Sequence, residues 1–196
     1  MEGGGPCEEG GSISGTRIVE WPAQTAPQGQ TAYAFILLRA QGYPCIFYGD
    51  YYGIEEQPKR PAQPAGKNYL DLLLKVRKQF ALGEERYYDD RNVAGWVRMG
   101  GVPGARGALA VVINTARSGV RPITMDTGRV NRRFYHLATI KHVGTHDNDG
   151  FIVVRSAYQQ YGDKSEAIWT APDGRADFLA DSGSVSLWLE DGVGLM

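Results

Sequence analysis

The chain has 196 residues, with 21 lysines and arginines against 22 aspartates and glutamates, so its formal net charge is −1. A nearly neutral chain lacks the excess positive charge that binds nucleic acids and acidic membrane surfaces, so we expect neither partner. Its longest apolar run, residues 32–38, is too short to span a bilayer. No signal peptide is visible, which predicts a cytoplasmic location if the chain begins at its natural N-terminus.

Residues 1–30 are rich in glycine and proline. This segment holds too little apolar surface to offset the entropy of ordering it, so it is predicted to be a disordered leader. Within it, residues 17–21 are apolar enough for a short strand that ends at Pro22.

The next stretch predicts a helix followed by a buried strand. Residues 32–41 are apolar on nearly every side and end at Gly42, a common helix terminator. Residues 43–48 are apolar without alternation, which is typical of a strand buried on both faces of a parallel sheet. Cys45 lies in this strand and is expected to be a small core residue.

A second helix is predicted over residues 69–82, with Asn68 as its N-cap and Gly83 after its end. Its apolar residues recur at the helical period and predict one buried stripe. These residues are Tyr69, Leu72, Leu73, Val76 and Phe80. The order helix, strand, loop, helix indicates a βα-barrel or a wound sheet.

After Gly83 the pattern changes to short strands separated by turn residues, which indicates an antiparallel sandwich or barrel. The chain is therefore predicted to divide at about Glu84. The predicted strands are residues 93–98, 108–114, 122–125, 133–137, 150–155, 165–170 and 184–189.

Several of these segments, in order, resemble the α-amylase family of glycoside hydrolases. Residues 42–50, GYPCIFYGD, resemble the last strand of the family's barrel, and residues 69–83 resemble its closing helix. Residues 86–90, 93–98 and 108–114 resemble the first part of its C-terminal β-sandwich. The resemblance implies the C-terminal part of a retaining enzyme that hydrolyses internal α-1,4-glucosidic bonds in starch or glycogen.

The predicted fold class is therefore α+β. A remnant of a (β/α)8 barrel, with one strand and two helices, occupies residues 31–83. An antiparallel β-sandwich domain follows over residues 84–196. The leader, residues 1–30, precedes both.

The resemblance assigns no catalytic residue to this chain. The family's nucleophile, general acid and third aspartate belong to earlier strands, and residues 20–25 read EWPAQT where its Asn-His-Asp motif should stand. Intact relatives hold calcium, but the positions that match one calcium site are Arg91, Asn92 and Thr115, so no cofactor is expected here. The predicted state is inactivity alone. The alternatives are a non-catalytic glucan-binding or scaffold module and a truncated gene product.

Asp50, Tyr51 and Tyr52 are the predicted substrate-binding residues, with α-glucan as the partner. They follow the predicted barrel strand at its C-terminal end, where barrel active sites lie, and aromatics with a carboxylate suit sugars. The alternative is structural: Asp50 caps a turn while Tyr48 and Tyr51 pack under the loop. The structural alternative is favoured for Tyr48.

The remaining polar clusters have simpler explanations. His142, His146, Asp147 and Asp149 match no zinc pattern and indicate a turn.

Four carboxylates near the predicted domain boundary indicate a solvated, charged hinge. They are Glu84, Glu85, Asp89 and Asp90. Trp96 is expected in the core, as are the tryptophans of two similar stretches, residues 164–170 and 183–189.

Overall fold

The computed structural model describes residues 29–55, 65–143, 150–155 and 167–192, with only the backbone for Val143 and residues 150–155. Nearly all of the predicted leader, and the segment that contains His146, Asp147 and Asp149, lie outside the described residues.

In the described part of the chain, three helices precede the strands: α1 (Gly29–Leu38), α2 (Tyr48–Tyr52) and α3 (Lys67–Gln79). The predicted N-cap is wrong, because Gly66 occupies that position and Asn68 lies inside α3. None of the helices in the described part is long and apolar enough to cross a membrane.

Among the described residues, nine antiparallel strands follow α3. They are β1 (Glu85–Asp90), β2 (Val93–Arg98), β3 (Leu109–Asn114), β4 (Arg121–Asp126), β5 (Arg133–Val143), β6 (Gly150–Arg155), β7 (Ala167–Trp169), β8 (Arg175–Ala180) and β9 (Ser184–Glu190).

Seven of these strands form one sheet, and six of the seven lie in the order β1-β2-β3-β9-β5-β6. The seventh, β7, pairs with the first residues of β5, while β6 pairs with the last residues of β5. A separate two-stranded sheet consists of β4 and β8.

The central strand β3 is buried on both faces because different layers cover each face. Leu109, Val111 and Ile113 share one core with the helices. Ala110 and Val112 share the other core with the β4–β8 sheet. This mostly antiparallel, layered arrangement is compatible with the predicted β-sandwich.

The predicted buried strand at residues 43–48 is wrong. Residues 43–47 form neither helix nor strand, and α2 begins at Tyr48. The Tyr43 side chain is fully exposed, and Cys45 is exposed rather than part of a core. A strand with two buried faces needs strands beside it and layers above and below, and no described strand lies beside this segment.

The predicted hinge is wrong, because Glu84 leads directly into strand β1, although Glu84, Asp89 and Asp90 are exposed as expected. The Glu85 side chain is only 10% exposed and lies 2.7 Å from Arg39 Nε in an ion pair. The other carboxylate oxygen of Glu85 accepts the Ala40 N–H at 2.6 Å. Glu85 therefore joins β1 to the end of α1.

Strand β8 was not predicted, although its sequence carries a signal. Ala176, Phe178 and Ala180 are buried and alternate with exposed residues, which is the period-2 pattern of a half-buried strand.

Leu73 and Leu74 offer a matched test of the α3 interface, because Leu73 is fully buried and Leu74 is 38% exposed. We expect Leu73→Ala to lower the free energy of unfolding by about 2–5 kcal/mol through lost burial and a residual cavity. We expect Leu74→Ala to change it by about 0.5 kcal/mol. Urea denaturation measures both, and equal losses would contradict this packing.

Candidate functional site

The short helix α2 carries all three predicted site residues. The Phe47 carbonyl accepts the amides of Asp50 at 3.1 Å and Tyr51 at 3.2 Å. Gly53 closes the helix at φ 85° and donates its N–H to Gly49 at 2.8 Å. Gly49 is buried, and a Cβ there would lie 2.7 Å from the Phe47 and Ile54 side chains. A side chain at position 49 would therefore force the Phe47 and Ile54 side chains to move.

Asp50 is held by contacts with two other segments. Its carboxylate accepts a hydrogen bond from the Tyr33 hydroxyl on α1. The same hydroxyl oxygen accepts the Phe47 N–H at 3.1 Å. The Asp50 carbonyl accepts the Gly66 N–H at 2.7 Å, just before α3. Asp50 thus fastens α2 to α1 and to the start of α3.

Tyr33 has an altered acidity because of this position. Burial, and then the hydrogen bond to Asp50, raise the pKa of the Tyr33 hydroxyl to about 12. Ionising the phenol would leave two anions sharing one contact. Tyr33 therefore keeps its proton and remains a donor to Asp50 throughout the neutral range.

Tyr51 also has structural contacts. Its hydroxyl donates to Asp71 Oδ1 at 2.6 Å, and this hydrogen bond raises the pKa of Tyr51 to about 12. Its ring is half-buried against the helical core, and Lys67 Nζ lies 5.7 Å from the ring centroid. Tyr51 therefore connects α2 to α3 and offers little ring surface to a ligand.

Tyr48 and Tyr52 form the exposed part of this site, which we call the tyrosine platform. Tyr48 is 73% exposed and Tyr52 is 57% exposed. Their ring centroids are 4.6 Å apart, and Tyr51 supports Tyr52 edge-on at 4.7 Å. The prediction that Tyr48 packs under the loop is wrong. Adjacent exposed rings can stack against the apolar faces of sugars.

Most carboxylates of the described residues form a hydrogen bond or an ion pair with another side chain. The pairs are Asp50 with Tyr33, Asp71 with Tyr51, Glu85 with Arg39, Asp126 with Arg86, Asp181 with Lys141, Glu190 with Arg129 and Asp191 with Arg133.

The positions matched to a family calcium site do not fit that ion. The Asn92 carbonyl accepts the Thr115 N–H at 2.8 Å and its hydroxyl at 3.0 Å, and Arg91 is itself cationic. Calcium prefers several oxygen ligands that include carboxylates. Within the described ranges, no group of three or more His, Cys, Asp or Glu residues could hold a metal.

A concave surface lies between β5, β7, β8 and β9, away from the tyrosine platform. The ring of His136 lies 4.8 Å from that of Trp188, and its Nε2 is 2.9 Å from the Thr139 hydroxyl. Lys141 and Asp181 pair at 2.8 Å on the rim. Each of these polar groups already has a partner within the protein, so this concave surface is a weaker candidate for a ligand-binding site.

The three tryptophans within the described ranges divide into two groups. Trp96 is fully buried and Trp188 is 6% exposed, as predicted. Trp169 is 65% exposed, so its prediction as a core residue is wrong.

No protein-family model matches the chain. Individual curated proteins do match it. An α-amylase of Geobacillus stearothermophilus is 31% identical over 159 residues, which cover 81% of this chain and 24% of that protein. An α-amylase of Bacillus licheniformis is 33% identical over 161 residues, covering 81% of this chain and 27% of that protein. A glucan 1,4-α-maltohexaosidase of Bacillus sp. (strain 707) is 27% identical over 159 residues, covering 81% of this chain and 26% of that protein.

These matches place the chain among the glycoside hydrolases. The chain belongs to the α-amylase family. It spans about a quarter of the length of the curated relatives it matches.

Tyr33→Phe tests the connection between α1 and α2. At pH 7 we expect the free energy of unfolding to fall by about 1–3 kcal/mol, because the variant loses the hydrogen bonds to Asp50 and from Phe47. Urea denaturation of both proteins measures this difference.

The same pair should differ in pH dependence. Tyr33 has a pKa of about 12 when folded, against 10.0 as its ordinary value, so the unfolded chain loses this proton first. The stability contributed by Tyr33 is complete below pH 10 and is lost as pH rises towards 12. The advantage of the wild type over Tyr33→Phe should therefore shrink in that range. A constant difference would contradict the raised pKa.

Proposed function

We propose that this chain corresponds to the C-terminal part of an α-amylase-like enzyme that hydrolyses internal α-1,4-glucosidic bonds in starch or glycogen. The observation that carries the proposal is the match of 81% of the chain to curated α-amylases. Because the chain spans about a quarter of those proteins, we further propose that it does not catalyse the reaction alone.

The arrangement of carboxylates supports inactivity. A retaining glycosidase needs a nucleophile and an acid about 5–5.5 Å apart, with the acid's pKa raised. In the described part, the paired carboxylates lie against arginine, lysine or tyrosine on the surfaces between elements. The hydrogen bond from Lys141 lowers the pKa of Asp181, which is the opposite of what a general acid needs.

The scaffold role is favoured by apolar surface around α1 and α2. Phe35 and Ile36 on α1 are 40% and 39% exposed, and they line one concave surface together with the fully exposed Tyr43. Exposed apolar residues that lie together mark surfaces that pack against another protein segment. In this proposal, the apolar surface of residues 29–55 packs against a partner barrel and stabilises it.

A second candidate function is α-glucan binding without catalysis, and the tyrosine platform favours it. Tyr48 and Tyr52 present exposed rings, while Asp50 and Tyr51 hold the short helix in place through Tyr33 and Asp71. A rigid aromatic surface loses little entropy when a ligand stacks on it.

Catalysis is tested with purified chain and soluble starch, by measuring the release of reducing ends. We expect no release above that of a heat-inactivated sample, because no nucleophile and acid pair is assigned. An active α-amylase in the same assay serves as the positive control. Release well above the heat-inactivated sample would refute the proposed inactivity.

Binding at the tyrosine platform is tested by titrating the chain with maltoheptaose. We expect the double variant Tyr48→Ala/Tyr52→Ala to weaken binding by about tenfold or more, because it removes both ring surfaces. Val102→Ala removes apolar surface at a residue that is 42% exposed and lies outside the platform, and should bind as the wild type does. Equal affinity in the double variant and the wild type would exclude the platform as a glucan contact.

A further inference from the structure

Trp169 is the most exposed tryptophan in the described part of the chain. It ends β7, which pairs with β5 along one edge only. Two buried tryptophans use their indole N–H inside the protein, Trp96 to Leu38 and Trp188 to Leu179, each at 3.3 Å. The indole N–H of Trp169 has no hydrogen-bond partner among the described residues. Folding therefore leaves both the ring and the polar atom of Trp169 available.

Polar groups lie beside this ring. Arg133 is the cross-strand partner of Trp169, and its guanidinium carbon lies 5.7 Å from the ring centroid. Arg133 also pairs with Asp191, whose side chain is 30% exposed. The Arg133 guanidinium thus lies over the ring with the Asp191 carboxylate next to it, and the Arg133 side chain keeps 14% of its surface exposed.

The backbone on both sides of the ring is fixed. Ile168 packs into the core beneath the β4–β8 sheet. Thr170 is 3% exposed and exchanges hydrogen bonds with Arg132: its N–H donates to the Arg132 carbonyl at 2.8 Å, and its hydroxyl accepts the Arg132 N–H at 2.8 Å. Trp169 is therefore an exposed side chain on a rigid support, which lowers the entropy lost when a ligand binds.

We propose that Trp169, Arg133 and Asp191 form a second α-glucan contact, separate from the tyrosine platform. The ring stacks on the C–H face of a glucose unit, while Arg133 donates to its hydroxyls and Asp191 accepts from them. The choice of α-glucan rests on the proposed function, since the relatives are named for α-amylase and glucan activities.

Other ligand classes fit this surface less well. A net charge of −1 does not favour nucleic acid, although bases also stack on aromatic rings. A second copy of the chain needs an interface of roughly 1,200 Å² or more, far larger than one ring and its rim.

The experiment uses the full chain, with maltoheptaose as the probe and cellohexaose as the β-linked control. Titration calorimetry compares the wild type with Trp169→Ala, Trp169→Phe and Val120→Ala. The last variant removes apolar surface at a residue that is 58% exposed and belongs to neither site. We expect Trp169→Ala to weaken maltoheptaose binding about tenfold at one class of sites, and Trp169→Phe to restore most of it. Val120→Ala should bind normally.

A second readout reports the ring directly. Iodide quenches the fluorescence of exposed tryptophans. Saturating maltoheptaose should therefore reduce this quenching in the wild type and should not change the quenching of Trp169→Phe. Circular dichroism confirms that each variant is folded.

The outcomes separate this site from the tyrosine platform. If Trp169→Ala binds as the wild type does while Tyr48→Ala/Tyr52→Ala does not, the Trp169 site is refuted and the platform stands. If the wild type binds no maltoheptaose, both glucan contacts are refuted, but the proposed inactivity on starch is not. Loss of a concentration-dependent dimer in Trp169→Ala, with unchanged glucan affinity, would refute the site in favour of a second copy.

Discussion

The packing of the helices on the sheet depends on the hydrogen bonds made by the C-terminal end of α1. The last carbonyls of a helix have no partner within it, and they carry the negative end of its dipole. Here the Leu38 carbonyl accepts hydrogen bonds from Trp96 Nε1 and Arg98, each at 3.3 Å. The Leu37 carbonyl accepts one from Arg77 on α3. One helix end thus joins α1 to both the sheet and the next helix.

Arg98 is a buried cation that depends on its hydrogen bonds at this helix end. It is 5% exposed, and burial lowers its pKa. Its second amino group donates to the Gly83 carbonyl at 2.9 Å, so it connects α1 to the segment that enters β1. A buried cation needs such partners, because removing them leaves an uncompensated charge. The helix end and the arginine therefore stabilise each other.

The geometry of the tyrosine platform follows from this anchor. Because α1 is fixed on the sheet, Tyr33 is fixed as well, and it holds Asp50 through its hydroxyl. Asp71 on α3 holds Tyr51 in the same way. Two predicted ligand residues thus act as supports, and the exposed rings of Tyr48 and Tyr52 remain for a ligand. The Trp169 surface depends instead on β5 and on Thr170, so the two aromatic surfaces have independent supports.

The sequence by itself determined the elements whose signals are local. Strands β2 and β6 have the predicted bounds, and α3 lies within a few residues of its predicted position, because turn residues and apolar periodicity are short-range features. The family was also readable, from motifs in the order GYPCIFYGD, closing helix and first β-strands. The grouping of Asp50, Tyr51 and Tyr52 followed from adjacency alone.

Tertiary structure decided whatever depends on distant partners. The apolar run at residues 43–48 indicated two-sided burial, but burial needs neighbours that the described chain does not supply. Glu85 looked like part of a solvated hinge, yet its partner Arg39 lies 46 residues away. Trp169 and Trp188 occupy similar local sequences, and only their places in the sheet differ. Trp188 lies on a central strand and is buried, whereas Trp169 lies on a short edge strand and is exposed. Local sequence sets what a segment can form, while the neighbours brought by the fold decide which of its faces meet water.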